Sequence, residues 1–264
     1  MATRAAERAD PDSDVGLLAE HKGRYRFAAH TTAPQRLLDI ACGSGLGFPY
    51  FPAVPLVVGA DLEVDALRLA DDARASAPNL VALARTDGTA LPFRSGAFDV
   101  ITSFETVEHI PDDESFLTEL ARVLSSDGVL LMSTPNAIVT GPSFGVPRNP
   151  FHIREYKPAQ FRDLLLGSFA DVTLLGQHVI PSFGPCPLWD QGPGLPRKAR
   201  LSGFLWKLQR HGGWPPLVSL ASLLRGRRAL LPEEDEFTFL ASGVESCHVL
   251  LAVCGKPYPR GRPG

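Results

Sequence analysis

The sequence predicts an α/β fold: a mostly parallel sheet of seven strands, with helices on both faces and a helical insertion before the last strand. Three observations predict it. Short apolar runs alternate with helical patterns between residues 36 and 133, and such alternation builds right-handed βαβ crossovers and a parallel sheet covered on both sides. The run Leu37-Leu38-Asp39-Ile40-Ala41-Cys42-Gly43-Ser44-Gly45-Leu46-Gly47 ends an apolar strand in small residues and closely spaced glycines, which reads as a tight loop opening a helix. Acids also recur just past successive strands, at Asp61 and Asp87, where open α/β sheets bind their ligands.

The elements follow in order. Residues 1–14 read as a disordered leader, and a helix is expected from Val15 to Thr32. Strand one is Arg36 to Ile40; a short helix around Gly47 to Phe51 follows the glycine loop. Gly43 and Gly45 suit that loop because it needs unusual φ/ψ values and close backbone approach to a ligand. It is not a dinucleotide fingerprint, because Phe48 stands where a small residue is required. Strand two, Leu56 to Ala60, leads through Asp61 into a helix from about Glu63 to Ser76, and strand three spans Leu80 to Ala84. Strand four is Phe98 to Ser103, followed by a helix from Pro111 to Leu124 with proline at its first position. Strand five is Val129 to Ser133, and a helix from Pro158 to Leu166 and a strand from Asp171 to Gly176 complete a core of residues 15–180.

Residues 181–245 read as a basic insertion rich in Pro and Gly. Arg197, Lys198, Arg200, Lys207, Arg210, Arg225, Arg227 and Arg228 fall in it with no intervening acid, and Trp189, Phe204, Trp206 and Trp214 could line a pocket or form the insertion's own core. Such a basic excess is most commonly a solvated face; it could also receive a phosphate-bearing small molecule, or rest on an anionic membrane carrying a lipid-linked acceptor. The final core strand falls within residues 246–256, as His248 to Cys254, and residues 257–264 are a polar tail.

Composition narrows the class. A net charge of −3 argues against a globally basic nucleic-acid binder. No apolar run approaches the ~18 residues of a membrane span. The polar stretch from Met1 to Asp14 lacks an apolar signal core, so a cytoplasmic location is expected. Cys42, Cys186, Cys247 and Cys254 have no paired metal spacing and read as small hydrophobes in a reducing compartment.

Candidate chemistry follows strand four, in Ser103-Phe104-Glu105-Thr106-Val107-Glu108-His109-Ile110-Pro111. Glu105, Glu108 and His109 stand at i, i+3 and i+4, one face of a helical turn. Two carboxylates and an imidazole there would form half of a divalent-metal site. A further histidine, His152, sits in the loop Asn149-Pro150-Phe151-His152-Ile153-Arg154-Glu155-Tyr156.

The D-x-x-x-G-x-G pattern beginning at Asp39 resembles motif I of the class I S-adenosylmethionine (SAM) methyltransferases, which have a Rossmann-like fold. The resemblance implies SAM as cofactor, with Asp39, Ala41, Gly43, Gly45, Asp61, Leu62, Asp87, Gly88 and Ser103 around it. Asp61 would take both ribose hydroxyls, since a carboxylate offers two acceptor oxygens. Asp87 would receive the adenine amino group, and Asp39 would hold the glycine loop or the methionine ammonium. Arg24 and Tyr25, on the helix before the motif, would help cover the cofactor.

E-x-x-E-H followed by a loop histidine resembles the small-RNA 2′-O-methyltransferases, and in part the ubiquinone-pathway catechol O-methyltransferases. This implies that Glu105, Glu108, His109 and His152 hold Mg²⁺ or Mn²⁺, with His109 or Glu105 taking the proton of an acceptor hydroxyl. The frame from Phe98 to Tyr156 looks most like bacterial small-molecule or sugar methyltransferases. The implied reaction is O-methylation of a small molecule with adjacent oxygens, such as a sugar, natural product or catechol. A metal-independent C- or N-methyltransferase using His109 as base, and an RNA 2′-O-methyltransferase, stay open. The resemblance covers residues 20–178 and the final strand, not the insertion of residues 181–245, whose place in the fold implies a substrate lid.

Overall fold

A computed structural model describes residues 15–75, 77, 79–141, 147, 149–179 and 233–258. The leader, the tail beyond residue 258, and the basic residues and four aromatics of the expected insertion lie outside the described residues.

The first helix, α1 (Val15–Thr31), precedes β1 (Arg36–Ile40), β2 (Leu56–Asp61), α2 (Val64–Arg74) and β3 (Leu80–Arg85). Then come β4 (Phe98–Phe104), α3 (Asp113–Val123), β5 (Leu124–Pro135), α4 (Ala137–Thr140) and α5 (Pro158–Leu166). The chain continues in β6 (Phe169–Val179), β7 (Phe237–Leu240) and β8 (Val249–Pro257). Single 3-10 turns replace the expected helix after the glycine loop, at Phe48–Tyr50, and the expected helical turn after β4, at Val107–His109.

All strands join one sheet in the order β3-β2-β1-β4-β5-β8-β6-β7. Strands β1 to β5 run parallel, whereas β8 lies antiparallel to both β5 and β6. The sheet therefore has eight strands rather than seven. The additional one, β7, falls inside the stretch read as insertion and pairs antiparallel with the outer edge of β6, from Gly176↔Leu240 to Val179↔Phe237. Four residues are too short to announce a strand by alternation; the exposed edge of β6 supplies the partner groups that make one.

The two faces of the sheet bury separate clusters, because neighbouring strand residues point to opposite sides. Leu38, Ile101, Leu130 and Met132 pack with α3 through Phe116 and Leu120 and with α5 through Phe161. Leu37, Val100 and Leu131, each one residue away, face the other side with Tyr25 and Ala28 of α1 and Ala70 of α2. Parallel strands covered on both faces read as the near-continuous apolar runs seen in the sequence.

The strand order places the functional crevice. From β1 the chain moves outward to β2 and β3, then returns to the other side of β1 with β4. Ligands in such sheets lie beyond the strand carboxyl ends at this reversal. The register Asp39↔Thr102 sets the end of β1 directly against the end of β4.

Candidate active site

The loop after β1 is built by left-handed backbone: Ala41, Gly43 and Gly45 have φ of 57°, 55° and 77°. Asp61 holds it. Its Oδ2 accepts from the Gly43 N–H at 3.0 Å, and its Oδ1 accepts from the Glu63 N–H at 2.9 Å. Asp61, not Asp39, therefore makes the side-chain contact to this loop. A Cβ added at Gly43 would meet nothing within 4 Å, so this part of the loop faces open space beside Asp61. At Gly45 it would strike the Phe48 ring at 2.5 Å. Phe48, the residue that rules out a dinucleotide motif, is fully buried beneath the loop.

Asp39 is buried at the end of β1, where Thr102 Oγ1 donates to Oδ1 at 2.7 Å and the Tyr25 hydroxyl reaches both oxygens. Burial pushes its carboxyl up to about 7, against the two hydroxyl bonds that favour the charged form. On the β3 side, Asp87 Oδ1 accepts from the Thr89 N–H and hydroxyl, which hold it below the usual carboxylate range. Gly88 lets Phe116 approach, since a Cβ there would lie 2.6 Å from the ring. Leu62 is 47% exposed next to Asp61. The Ser103 hydroxyl, at the end of β4, is buried with no hydrogen-bond partner among the described residues.

Helix α1 crosses this crevice. Tyr25 packs edge-on to Phe104 with ring centroids 5.0 Å apart. Arg24 is fully buried; its Nη1 donates to Gln177 Oε1 at 3.0 Å and lies 3.7 Å from Glu105 Oε1. The other edge of the same guanidinium, Nε and Nη2, has no partner among the described residues. Gln177 itself donates to the Glu20 carbonyl at 2.9 Å, a contact across 157 residues that no local pattern signals. Burial raises the Glu20 carboxyl to about 7 despite the nearby Arg24.

The residues read as metal ligands divide. Ligand atoms of Glu108, His109 and His152 all lie within 4.8 Å of one another. Glu105 does not join them. Its φ of 51° turns the chain out of a helical path before the 3-10 turn, so the i, i+3, i+4 face expected from spacing does not form. Its Oε1 instead accepts from Ser133 Oγ at 2.7 Å and faces Arg24.

Glu108 is fully buried. Its Oε2 accepts from Thr134 Oγ1 at 3.0 Å, and its Oε1 has no partner among the described residues. Burial, then the negative charge of Glu105, holds its carboxyl well above the ordinary range. His109 Nδ1 lies 3.1 Å from the Phe151 carbonyl, and His152 Nδ1 lies 2.9 Å from Glu155 Oε1. The Ile153 N–H donates to the Glu108 carbonyl at 2.9 Å, which ties the His152 loop to the turn carrying Glu108 and His109. One carboxylate oxygen without a hydrogen-bond partner and two outward-anchored imidazoles form an N,N,O donor set suited to a divalent ion.

Residues 38–132 match the family model described as a methyltransferase domain. A protein of Mycobacterium tuberculosis named "Probable S-adenosylmethionine-dependent methyltransferase" is 32% identical over 178 residues, covering 66% of this chain and 64% of that protein. A ubiquinone biosynthesis O-methyltransferase of Methylococcus capsulatus is 33% identical over 132 residues, 48% of this chain and 56% of that protein. The chain thus matches less than two thirds of the length of these relatives. In structure, a SAM-dependent methyltransferase of Thermotoga maritima superposes with a TM-score of 0.55 at 13% identity, covering 91% of each chain. That likeness shows the Rossmann-like methyltransferase fold.

Proposed function

We propose, from the premise that residues 38–132 are a methyltransferase domain, that the chain transfers the methyl group of SAM to a hydroxyl of a small molecule, at a site where Glu108, His109 and His152 hold a divalent ion. The observation that carries the metal reading is the buried Glu108 Oε1, left without a partner beside two imidazoles. An orphaned buried carboxylate oxygen is costly, and a cation is the partner that this donor set fits. The relatives named as ubiquinone biosynthesis O-methyltransferases support an oxygen acceptor.

The chain's own groups supply the rest. In this reading the open backbone at Gly43 and the carboxylate of Asp61 would take the methionine and ribose portions of SAM, with Asp87 and Leu62 serving the adenine. The unpaired Nε and Nη2 of Arg24 form a two-donor edge that matches the cofactor's carboxylate. A bound Mg²⁺ or Mn²⁺ would lower the pKa of a coordinated acceptor hydroxyl. Glu105, held at the end of β4 by Ser133, is the carboxylate left to receive its proton. Tyr25 and Phe104 wall the crevice and exclude water, and fixing the two reactants in line supplies much of the acceleration.

A second reading rests on a specific contact. Asn149 Nδ2 lies 2.9 Å from His152 Nε2 and competes for that nitrogen. Without an ion, His109, whose Nδ1 is directed to the Phe151 carbonyl, becomes the base through Nε2, and carbon or nitrogen acceptors are served equally.

Calorimetric titration of S-adenosylhomocysteine and Mn²⁺ into EDTA-treated protein separates these readings. Binding of both supports the metal-assisted reaction. Cofactor binding without Mn²⁺ binding moves the chemistry to His109, and no cofactor binding overturns the proposal.

A further inference from the structure

The loop carrying His152 holds a chain of hydrogen bonds whose direction is fixed at one end. The Phe151 N–H can only donate, and it lies 3.1 Å from Asn149 Oδ1. The Asn149 amide must then present Nδ2 to His152, 2.9 Å from Nε2. An imidazole accepting at Nε2 carries its proton at Nδ1, and that nitrogen lies 2.9 Å from Glu155 Oε1. Thr140 Oγ1, which also lies 3.0 Å from the Asn136 carbonyl, is in hydrogen-bond contact with the second oxygen, Glu155 Oε2. The Glu155 side chain is only 3% exposed. A carboxylate buried this deeply needs partners; one of its oxygens meets His152 and the other meets Thr140.

We propose that Glu155 is a positioning residue: it fixes the tautomer and ring orientation of His152 so that Nε2 is the nitrogen offered as a ligand, with Thr140 beside the carboxylate in turn. The inference rests on the metal-assisted reading above and adds residues that neither spacing nor motif assigns. An ion held here would take Nε2 in place of the Asn149 amide, while Glu155 would keep its partner at Nδ1. Outer partners of this kind orient a ligand imidazole and raise its basicity.

The test uses the full chain after EDTA treatment, with Glu155→Gln, Glu155→Leu and Thr140→Val. Calorimetry with MnCl₂ reads metal affinity, and S-adenosylhomocysteine affinity and Tm serve as controls. Glu155→Gln is expected to weaken Mn²⁺ binding by about 10- to 100-fold with unchanged cofactor affinity; Thr140→Val shifts it in the same direction by less. Side-chain ¹⁵N NMR should show His152 Nε2 unprotonated in the metal-free wild type, and a gain of the Nε2–H tautomer in Glu155→Leu. Mn²⁺ affinity equal to wild type in both Glu155 variants overturns the positioning role while leaving the metal reading intact. Wild-type protein that binds S-adenosylhomocysteine but not Mn²⁺ overturns the metal reading, and this inference with it. Should the variants fail to fold, a wild-type His152 spectrum showing Nε2–H overturns the proposal without them.

Discussion

The hydroxyl of Tyr25 stands 3.2 and 3.1 Å from the two carboxylate oxygens of Asp39, joining the first helix to the end of the first strand. The contact closes α1 over the crevice between β1 and β4, and it takes Asp39 out of water. The same helix brings Arg24 and Glu20 into the interior.

The contribution of Asp39 and Glu20 to the stability of the ligand-free protein is expected to fall as pH rises from about 4 to 7, against that of His21, whose depressed value acts in the opposite direction. Asp39 and Glu20 both have folded-state values near 7, well above their ordinary ones. The native state therefore holds protons that the unfolded chain releases. Their contribution is fully present below the unfolded values and is lost as pH rises through the folded ones. Each tenfold difference in proton affinity between the two states is worth ~1.4 kcal/mol. Urea denaturation across this range checks the slope, which Asp39→Asn should raise.

Replacing Arg24 by Met should weaken S-adenosylhomocysteine binding by about 10- to 100-fold, the value of a charged hydrogen-bonding pair. Binding of methylthioadenosine, which lacks the amino-acid portion, should barely change. Equal losses for the two ligands would mean that Arg24 only supports the fold through Gln177 and Glu105.

Two glycines of one loop should fail in different ways. Gly45→Ala meets both a φ of 77° and the Phe48 ring at 2.5 Å, so it should lower Tm. Gly43→Ala carries only the left-handed penalty of ~1–2 kcal/mol, but its methyl group projects into the open space beside Asp61. Its larger effect should be on S-adenosylhomocysteine affinity, measured by calorimetry alongside Tm.

Glu108→Gln keeps an acceptor for Thr134 and removes a buried ionisable group. The variant should be as stable as wild type or more so at pH 8, since burial already disfavours the ionised form. Mn²⁺ affinity should fall by more than the ~100-fold upper range of outer-shell changes, with turnover falling in parallel. Retained turnover in EDTA would favour His109 as a metal-free base.

The sequence alone determined the parallel core, the crevice at the end of β1 and the acids around it. Those features are written in local order: apolar runs of strand length, glycines where φ must be positive, and Asp61 and Asp87 immediately after their strands. It also singled out Glu108, His109 and His152 by residue type, three side chains whose ligand atoms the fold brings within 4.8 Å of one another.

Only the tertiary structure decided which of these groups meet. Helical spacing put Glu105 with Glu108 and His109, but left-handed backbone at Glu105, bonded to Ser133 of the neighbouring strand, breaks that face. The union of Arg24 with Gln177, of Glu155 with His152 and Thr140, and of β7 with β6 likewise depends on neighbours supplied by other elements. Periodicity reports which side of its own element a residue faces. The partner that satisfies a buried charge comes from long-range packing, which no window of sequence contains.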